Sequence, residues 1–377
     1  MEVVFNKPFI TGRETHHLAQ VAMSGKLSGN GNYTRKCHDF FEERFGFRKV
    51  FLTTSCTDAL EMSAILCNIQ PGDEVIMPSY TFVSSANAFM LRGATIRFAD
   101  TYADYPNIDP LAIEQLITAR TRAILVVHYG GVACDMDAIM DIAKRHNLLV
   151  VEDAAHAIDS FFNGKPLGSI GHFGTFSFHE TKNIISGEGG MLAVNDESFI
   201  KRAEIIWEKG TDRAAFYRGE INKYGWKDIG SSFLPSEITA AMLFSQLEVF
   251  DEIQSRRKKL WHSYYQMLKP LADEGKIEIP EIPGYATVNG NMFFIILKNP
   301  EERTKILAYL KEKKINAVFH YLPLHSSDFF MEKHDDRALP NTDRFSGCIL
   351  RLPFFNEMKE EELKFVGNSI IEYLKQN

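Results

Sequence analysis

One lysine stands between an aromatic-rich run and a glycine loop. The stretch Phe176-Ser177-Phe178-His179-Glu180-Thr181-Lys182-Asn183 runs on into Ser186-Gly187-Glu188-Gly189-Gly190. About one βα unit upstream, the apolar pair Val150-Val151 leads into Glu152-Asp153-Ala154-Ala155-His156. An amine at one strand end and a carboxylate at the neighbouring one are the pair that pyridoxal phosphate requires. The amine forms a Schiff base with the aldehyde, and the carboxylate keeps the pyridine nitrogen protonated so that the ring accepts electrons.

Taken alone, Lys182 is one of 42 basic residues and reads as a surface lysine. The glycine loop changes that, because it permits close backbone approach to a bound group. Asp153 taken alone is a helix cap. Placed after an apolar run it is instead a buried carboxylate in need of a charged partner. Leu52-Thr53-Thr54-Ser55-Cys56-Thr57-Asp58-Ala59-Leu60 reads as strand, turn and helix start, with hydroxyls and free amides where a phosphate could sit; from pattern alone a plain Ser/Thr cap is the more frequent explanation. Pro78-Ser79-Tyr80-Thr81-Phe82-Val83 ends another strand with two aromatics, either core or ring contact. His156 lies near the same site or satisfies a core hydrogen bond.

Elements that place these residues are visible as short apolar runs alternating with helical stretches up to about residue 250. The runs are Lys49-Val50-Phe51-Leu52-Thr53, Glu74-Val75-Ile76-Met77, Ala94-Thr95-Ile96-Arg97-Phe98, Ala123-Ile124-Leu125-Val126-Val127, 148–151 and Gly190-Met191-Leu192-Ala193-Val194. This rhythm predicts an α/β fold with a mostly parallel sheet covered on both faces. Ligands on such sheets bind beyond the carboxyl ends of the strands, where Thr53, Pro78, His128 and Asp153 fall. A long helix over 237–268 leads out of the sheet. Strand-like 276–279, 292–297 and 317–320, with helices over 301–314 and 360–375, make a smaller α+β unit. The expected division is therefore a large domain over 1–250 and a small C-terminal domain over 251–377.

Bulk properties exclude several classes. The 377 residues are 45% hydrophobic and 24% charged, a globular composition, and the net charge of -7 gives no reason to expect nucleic acid binding. Five scattered cysteines lack metal-ligand spacing and read as reduced thiols. There is no signal-peptide pattern and no membrane-length apolar run, which places the expected protein in the cytoplasm without metal or membrane partners. A dehydrogenase reading fails for want of GxGxxG in the first βα turn.

Together these motifs resemble the fold type I pyridoxal phosphate sugar aminotransferases of the DegT/StrS family, over nearly the whole chain. Ser24-Gly25-Lys26-Leu27-Ser28-Gly29, Ser55-Cys56-Thr57, Pro71-Gly72-Asp73-Glu74-Val75-Ile76, Thr81-Phe82-Val83, Glu152-Asp153-Ala154-Ala155, the Lys182 segment and His320-Tyr321-Leu322-Pro323-Leu324-His325 occur in order. The resemblance implies that Lys182 carries the cofactor and Asp153 pairs with its ring nitrogen. It implies that Phe82 stacks on the ring, and that Ser177 with Cys56 and Thr57 holds the phosphate. His156 stands where many relatives have glutamine. Ser232, in Gly230-Ser231-Ser232-Phe233-Leu234, replaces an asparagine that in relatives reaches a neighbouring subunit's cofactor phosphate, so a homodimer with shared sites is implied.

Within the family the chain resembles the dTDP-4-amino-4,6-dideoxygalactose transaminases. That branch implies L-glutamate as donor and a dTDP-4-keto-6-deoxy sugar as acceptor, in surface polysaccharide or antigen synthesis. Arg213, Arg218 and Lys223, in a loop with Phe216, Tyr217, Tyr224 and Trp226, are candidates for the sugar diphosphate, or else a solvated charged loop. His320, Tyr321 and His325 are candidates for substrate contact from the small domain. A pyridoxal phosphate sugar 3-dehydratase is disfavoured, because that branch has histidine in place of Lys182. A non-catalytic cofactor-binding regulator is the reading from another class.

Overall fold

Seven strands bury nearly every residue and form one sheet in the computed structural model, which describes residues 1–376. They are β1 (Lys49–Thr53), β2 (Glu74–Pro78), β3 (Thr95–Ala99), β4 (Thr121–Val127), β5 (Leu149–Asp153), β8 (Phe173–Ser177) and β9 (Gly190–Val194). The two-residue strands β6 (Phe161–Phe162) and β7 (Lys165–Pro166) make a separate hairpin. The spatial order is β1-β9-β8-β5-β4-β2-β3. β3, β2, β4, β5 and β8 pair in parallel, whereas β9 runs antiparallel to both β8 and β1. The expected parallel sheet thus has one reversed strand. β8 returns as β9 through the lysine and glycine loop alone, a connection open only to antiparallel neighbours.

Side-chain alternation divides the core into two layers. Val50, Leu52, Ile76, Ile124, Val126, Val150, Met191 and Ala193 face one layer. It is closed by α1 (Glu14–Ser24), α2 (Asn32–Phe45), α5 (Pro110–Glu114), α6 (Met136–His146) and α9 (Glu237–Leu247). Phe51, Val75, Met77, Ala123, Leu125, Val127, Val151, Leu192 and Val194 face the other. That side is covered by α3 (Cys56–Leu66), α4 (Val83–Met90) and α7 (Glu197–Trp207), with the short α8 (Arg213–Tyr217) following.

A further core gathers α10 (Phe250–Asp273), β10 (Phe294–Ile296), α11 (Pro300–Glu312), β11 (Ile349–Arg351) and α13 (Glu360–Gln376), with α12 (Pro340–Cys348) leading into β11. Val3 belongs to this core as well, its N–H donating to Lys314 O at 2.9 Å. The expected helix over 237–268 is two helices. Val249 leaves helical geometry, and Glu248 at the break accepts from His17 at 2.8 Å and pairs with Arg13 at 3.4 Å. Only β10 survives of the three strand-like runs expected here. Segments 276–279 and 317–320 contribute single bridges, Glu278 to Ile296 and Val318 to Arg351. The partner of β10 is β11, which is too short to show a period in sequence. No helix among the described residues is long and apolar enough to cross a membrane.

The start of α2 shows how the elements lock together. Gly31 at its N-cap has no side chain, so buried Glu237 of α9 accepts from the N–H groups of Gly31, Tyr33 and Thr34 at 3.0, 2.7 and 3.0 Å. Replacing Glu237 with alanine orphans three buried donors, and we expect a loss of about 3 kcal/mol, read as a lower urea midpoint with unchanged slope. A change below about 0.5 kcal/mol would contradict this capping role.

Candidate active site

Carboxyl ends of β4, β5 and β8 and the first turns of α3 and α4 open onto one cavity of ≈ 550 Å³. Of the residues singled out by sequence, Cys56, Thr57, Phe82, Asp153, His156, Ser177, Lys182, His320 and Tyr321 line it. Residues about 125 positions apart in the chain, such as Thr57 and Lys182, therefore share one wall because the strand order brings β8 beside β5 and β9 beside β1.

β5 sends its two terminal acids to opposite faces. Glu152, fully buried, accepts from the N–H groups of Gly168, Ile170 and Gly171 at 2.7, 2.7 and 2.6 Å and lies 2.9 Å from His128 Nε2. His128 Nδ1 accepts from Cys134 N–H, so the Nε2 proton is donated to Glu152. Asp153 faces the cavity. It accepts from Ser85 Oγ at 2.7 Å and from Ala155 N–H at 3.2 Å. Burial raises its pKa, while Ser85, Ala155 and the charge of Lys182 pull the other way. Among the described residues no cation pairs with this carboxylate within 4 Å, so it retains the capacity to hold a buried cation.

Lys182 sits on a loop closed by its own backbone. Ser186 N–H donates to Phe178 O at 2.7 Å, Glu180 N–H to Gly187 O at 2.9 Å and Lys182 N–H to His179 O at 2.9 Å. Behind it Asn183 is clamped, donating to Gln254 and Asn289 O at 2.9 Å each and accepting from Asn291 at 2.9 Å. Burial pulls the amine's pKa down to about 8; Arg351 acts in the same direction, and Cys56 and Asp153 oppose it. At pH 7 about a tenth of the amine is then unprotonated, against about one part in 3000 for an ordinary lysine.

Around this pair the wall holds the first turns of α3 and α4 and an exposed aromatic ring. Ser55 caps α3 by accepting from Asp58 N–H at 3.1 Å, and Thr57 Oγ1 meets Ser84 Oγ at 2.8 Å. Gly190 lies so close to this turn that a Cβ would stand 2.4 Å from the Ser55 carbonyl. Phe82 is 56% exposed at the cavity, its ring centroid 6.3 Å from that of Tyr321. His156 Nδ1 accepts from Gly130 N–H at 3.4 Å, which puts its proton on Nε2. Burial first, then Lys182 and His320, hold this imidazole neutral. Tyr129 Oη lies 3.3 Å from His320 Nδ1.

Sequence reasoning assigned no role to Ser84, Ser85 and Asn183. Ser85 had a faint signal, its i, i+4 spacing from Thr81, whose hydroxyl it meets at 2.8 Å. Five expected residues lie off this cavity. His325 is buried against Ser79, with Oγ to Nδ1 at 2.9 Å. Arg213 and Ser232 line a different cleft of ≈ 370 Å³ with Lys26 and Lys209, and Arg213 pairs with Glu208 at 2.7 Å. Arg218 donates to Glu204 and Glu220 at 2.5 and 2.6 Å on the surface. Lys223 is exposed.

Comparisons with known proteins agree with this geometry. Residues 8–371 match the DegT/DnrJ/EryC1/StrS aminotransferase family. GDP-perosamine synthase of Escherichia coli O157:H7 is 30% identical over 371 residues, covering 97% of each chain. The spore coat polysaccharide biosynthesis protein SpsC of Bacillus subtilis (strain 168) is 30% identical over 388 residues, covering 98% of this chain and 97% of its own. The solved structure of S. venezuelae DesV, in complex with a ketimine intermediate, superposes with a TM-score of 0.90 at 27% identity over 99% of both chains. The chain belongs to this family and is a pyridoxal phosphate-dependent sugar aminotransferase. The cavity fits that cofactor: a buried carboxylate without a cation, an amine with lowered pKa and an exposed aromatic face are all present.

A depressed lysine pKa has two readable consequences in the cofactor-free protein. Acylation of Lys182, followed by peptide mass spectrometry, is expected to rise with a midpoint near pH 8, whereas surface lysines rise near 10.5. By linkage, the unfolded state binds more protons between pH 8 and 10.5, so the penalty of burying this lysine is full below pH 8 and fades as pH rises toward 10.5. A midpoint near 10.5 for Lys182 would contradict its burial.

Proposed function

We propose that the protein moves an amino group from L-glutamate to C4 of dTDP-4-keto-6-deoxyglucose, giving dTDP-4-amino-4,6-dideoxygalactose, as a homodimer. The observation that carries the reading is the placing of Lys182 and Asp153 in one cavity with a lowered lysine pKa. Bound there, pyridoxal phosphate supplies an electrophilic carbon for amines and a ring that stores an electron pair. Asp153 holds a proton at the ring nitrogen and keeps it charged. Lys182 Nζ, once released, takes the proton from the donor's α carbon in the first half and returns one to sugar C4 in the second. Because Lys182 approaches from one side of the cavity, the proton reaches one face of C4 and fixes the epimer.

Roles for the remaining wall follow from position. His156 offers an Nε2–H to an acceptor on the ring, Phe82 stacks on its face, and Ser177 with the α3 amide groups at Cys56 and Thr57 takes the phosphate. Support for the homodimer comes from the surface around the cationic cleft. Trp226, Tyr217, Tyr224, Leu27 and Ile229 are 84%, 73%, 51%, 50% and 45% exposed, an apolar margin suited to a second copy. Lys26 and Lys209 in that cleft would then supply positive charge for a nucleotide diphosphate across the interface. A GDP-linked acceptor is the second reading, favoured by the 30% identity to a GDP-perosamine synthase.

The experiment is a competition among dTDP- and GDP-4-keto-6-deoxy sugars with purified protein, pyridoxal phosphate and L-glutamate, with products read by proton NMR. We expect the dTDP sugar to be preferred at least 100-fold in kcat/KM, and a small coupling between sugar protons 3 and 4, the mark of an axial amine. Preference for the GDP sugar or a large coupling would overturn the assigned substrate or epimer. No aminated sugar from any acceptor would overturn the reading itself. Lys182→Ala is expected to abolish turnover, at least 1000-fold, while a melting curve stays within a few degrees of wild type.

A further inference from the structure

Asp153 is placed by the sheet itself, as the last residue of β5 and the partner of Thr175 in β8. Lys182 is not. It lies past Ser177, the last paired residue of β8, on the loop that returns as β9, so the sheet alone does not fix its amine relative to the carboxylate. Its neighbour Asn183 is buried against one tripeptide, Asn289-Gly290-Asn291, which leads into β10 of the small core.

That tripeptide holds two parts of the cavity at once. Toward the lysine loop, Asn289 O accepts from Asn183 Nδ2 and Asn291 Nδ2 donates to Asn183 Oδ1, both at 2.9 Å. Toward the segment after Asp153, Asn289 Nδ2 donates to His156 O at 2.7 Å and to Ile158 O at 2.8 Å, while its Oδ1 accepts from Asn291 N–H at 2.9 Å. Helix α10 holds the tripeptide from behind. Buried Arg257 donates through Nε to Gly290 O and through Nη2 to Asn291 O at 2.9 Å each, and Gln254 accepts the second Asn183 proton at 2.9 Å. Gly290 has a φ of +65°, and a Cβ there would stand 2.5 Å from the Arg257 carbonyl carbon, so helix and tripeptide meet backbone to backbone. The side chains of Asn183 and Asn289 each use both amide protons and the oxygen. A buried network satisfied in this way is rigid and admits one arrangement.

We propose that Asn183, Asn289 and Asn291 are positioning residues for Lys182, holding its amine at a fixed place relative to His156 and Asp153 for the proton transfers at the donor and sugar carbons. The proposal rests on the amino-transfer reading above. None of the three lines the cavity, so they act through Lys182 and His156 and not on a substrate. Without the Asn291 tie, Asn183 keeps an unpaired oxygen in a dry site and the loop is released from the tripeptide. A lysine freed in this way regains contact with water, titrates closer to an ordinary amine and meets the reacting carbon in fewer productive geometries.

The test reads the lysine before it reads turnover. In the cofactor-free protein, the pH midpoint for acylation of Lys182, followed by peptide mass spectrometry, is near 8 in wild type. It is expected to rise by at least one pH unit in Asn291→Ala and in Asn183→Ala. In protein loaded with pyridoxal phosphate, the single-turnover rate constant with L-glutamate is expected to fall at least about 30-fold in either variant, with the apparent Kd for glutamate within threefold of wild type. The isotope effect with α-deuterated glutamate should grow, because proton transfer becomes the slow step. The double variant should lose little more than Asn183→Ala alone, since both changes remove the same contact. If Asn183→Ala does not fold, as judged by its melting curve, Asn291→Ala, which removes a single tie to Asn183, carries the test. A lower melting temperature with midpoint, rate constant and isotope effect unchanged would mark the network as structural only and overturn the proposal. A wild-type protein that carries the cofactor on another lysine would sink the proposed function, while the acylation midpoints would still report whether the tripeptide holds Lys182.

Discussion

Two groups of opposite charge are held in one cavity without forming an ion pair with each other. Burial raises the pKa of Asp153 and lowers that of Lys182, so each is pushed toward its neutral form, and the attraction between the two charges offsets only part of that push. Such an arrangement is costly for folding and useful for chemistry. A cationic ring nitrogen and an aldehyde carbon satisfy the two groups separately, and the spacing between them is what prevents the protein from neutralising its own site.

Much of the surrounding structure serves to keep that spacing. Glu152, one residue from Asp153 on the opposite face of β5, gathers three backbone N–H groups of the 168–171 segment and fixes the strand end. Asn183, one residue from Lys182, is tied by three hydrogen bonds to segments that run toward the small core. Gly190 starts β9 against the Ser55–Cys56 turn, where a Cβ would clash with backbone. The lysine loop and the Ser55–Cys56 turn are thus tied together, since β9 is the return strand of that loop and the neighbour of β1.

What could be read from the sequence follows from range. Lys182 and Asp153 were legible because their signals are local: an apolar run, then a chemical group, at each strand end. Sheet strands were legible for the same reason, their burial on both faces leaving continuous apolar runs. Reversal of β9 was not, because direction depends on the loop's path rather than on composition. Ser85 and Asn183 carry no local mark; each matters through a partner far away in the chain. Arg218 looked like a free cation because one of its two acids, Glu204 on α7, becomes a partner only in the fold. The break between α9 and α10 contains neither Gly nor Pro and is set by the tie from Glu248 to α1.

The most direct test of the account is covalent mapping of the cofactor. Purified protein loaded with pyridoxal phosphate is reduced with borohydride, digested and sequenced by mass spectrometry. The account predicts the pyridoxyl group on the peptide containing Lys182, and no incorporation in the Lys182→Ala protein. Label on another lysine, or equal labelling of the alanine variant, would show that the cavity joining Lys182 to Asp153 is not where the chemistry takes place.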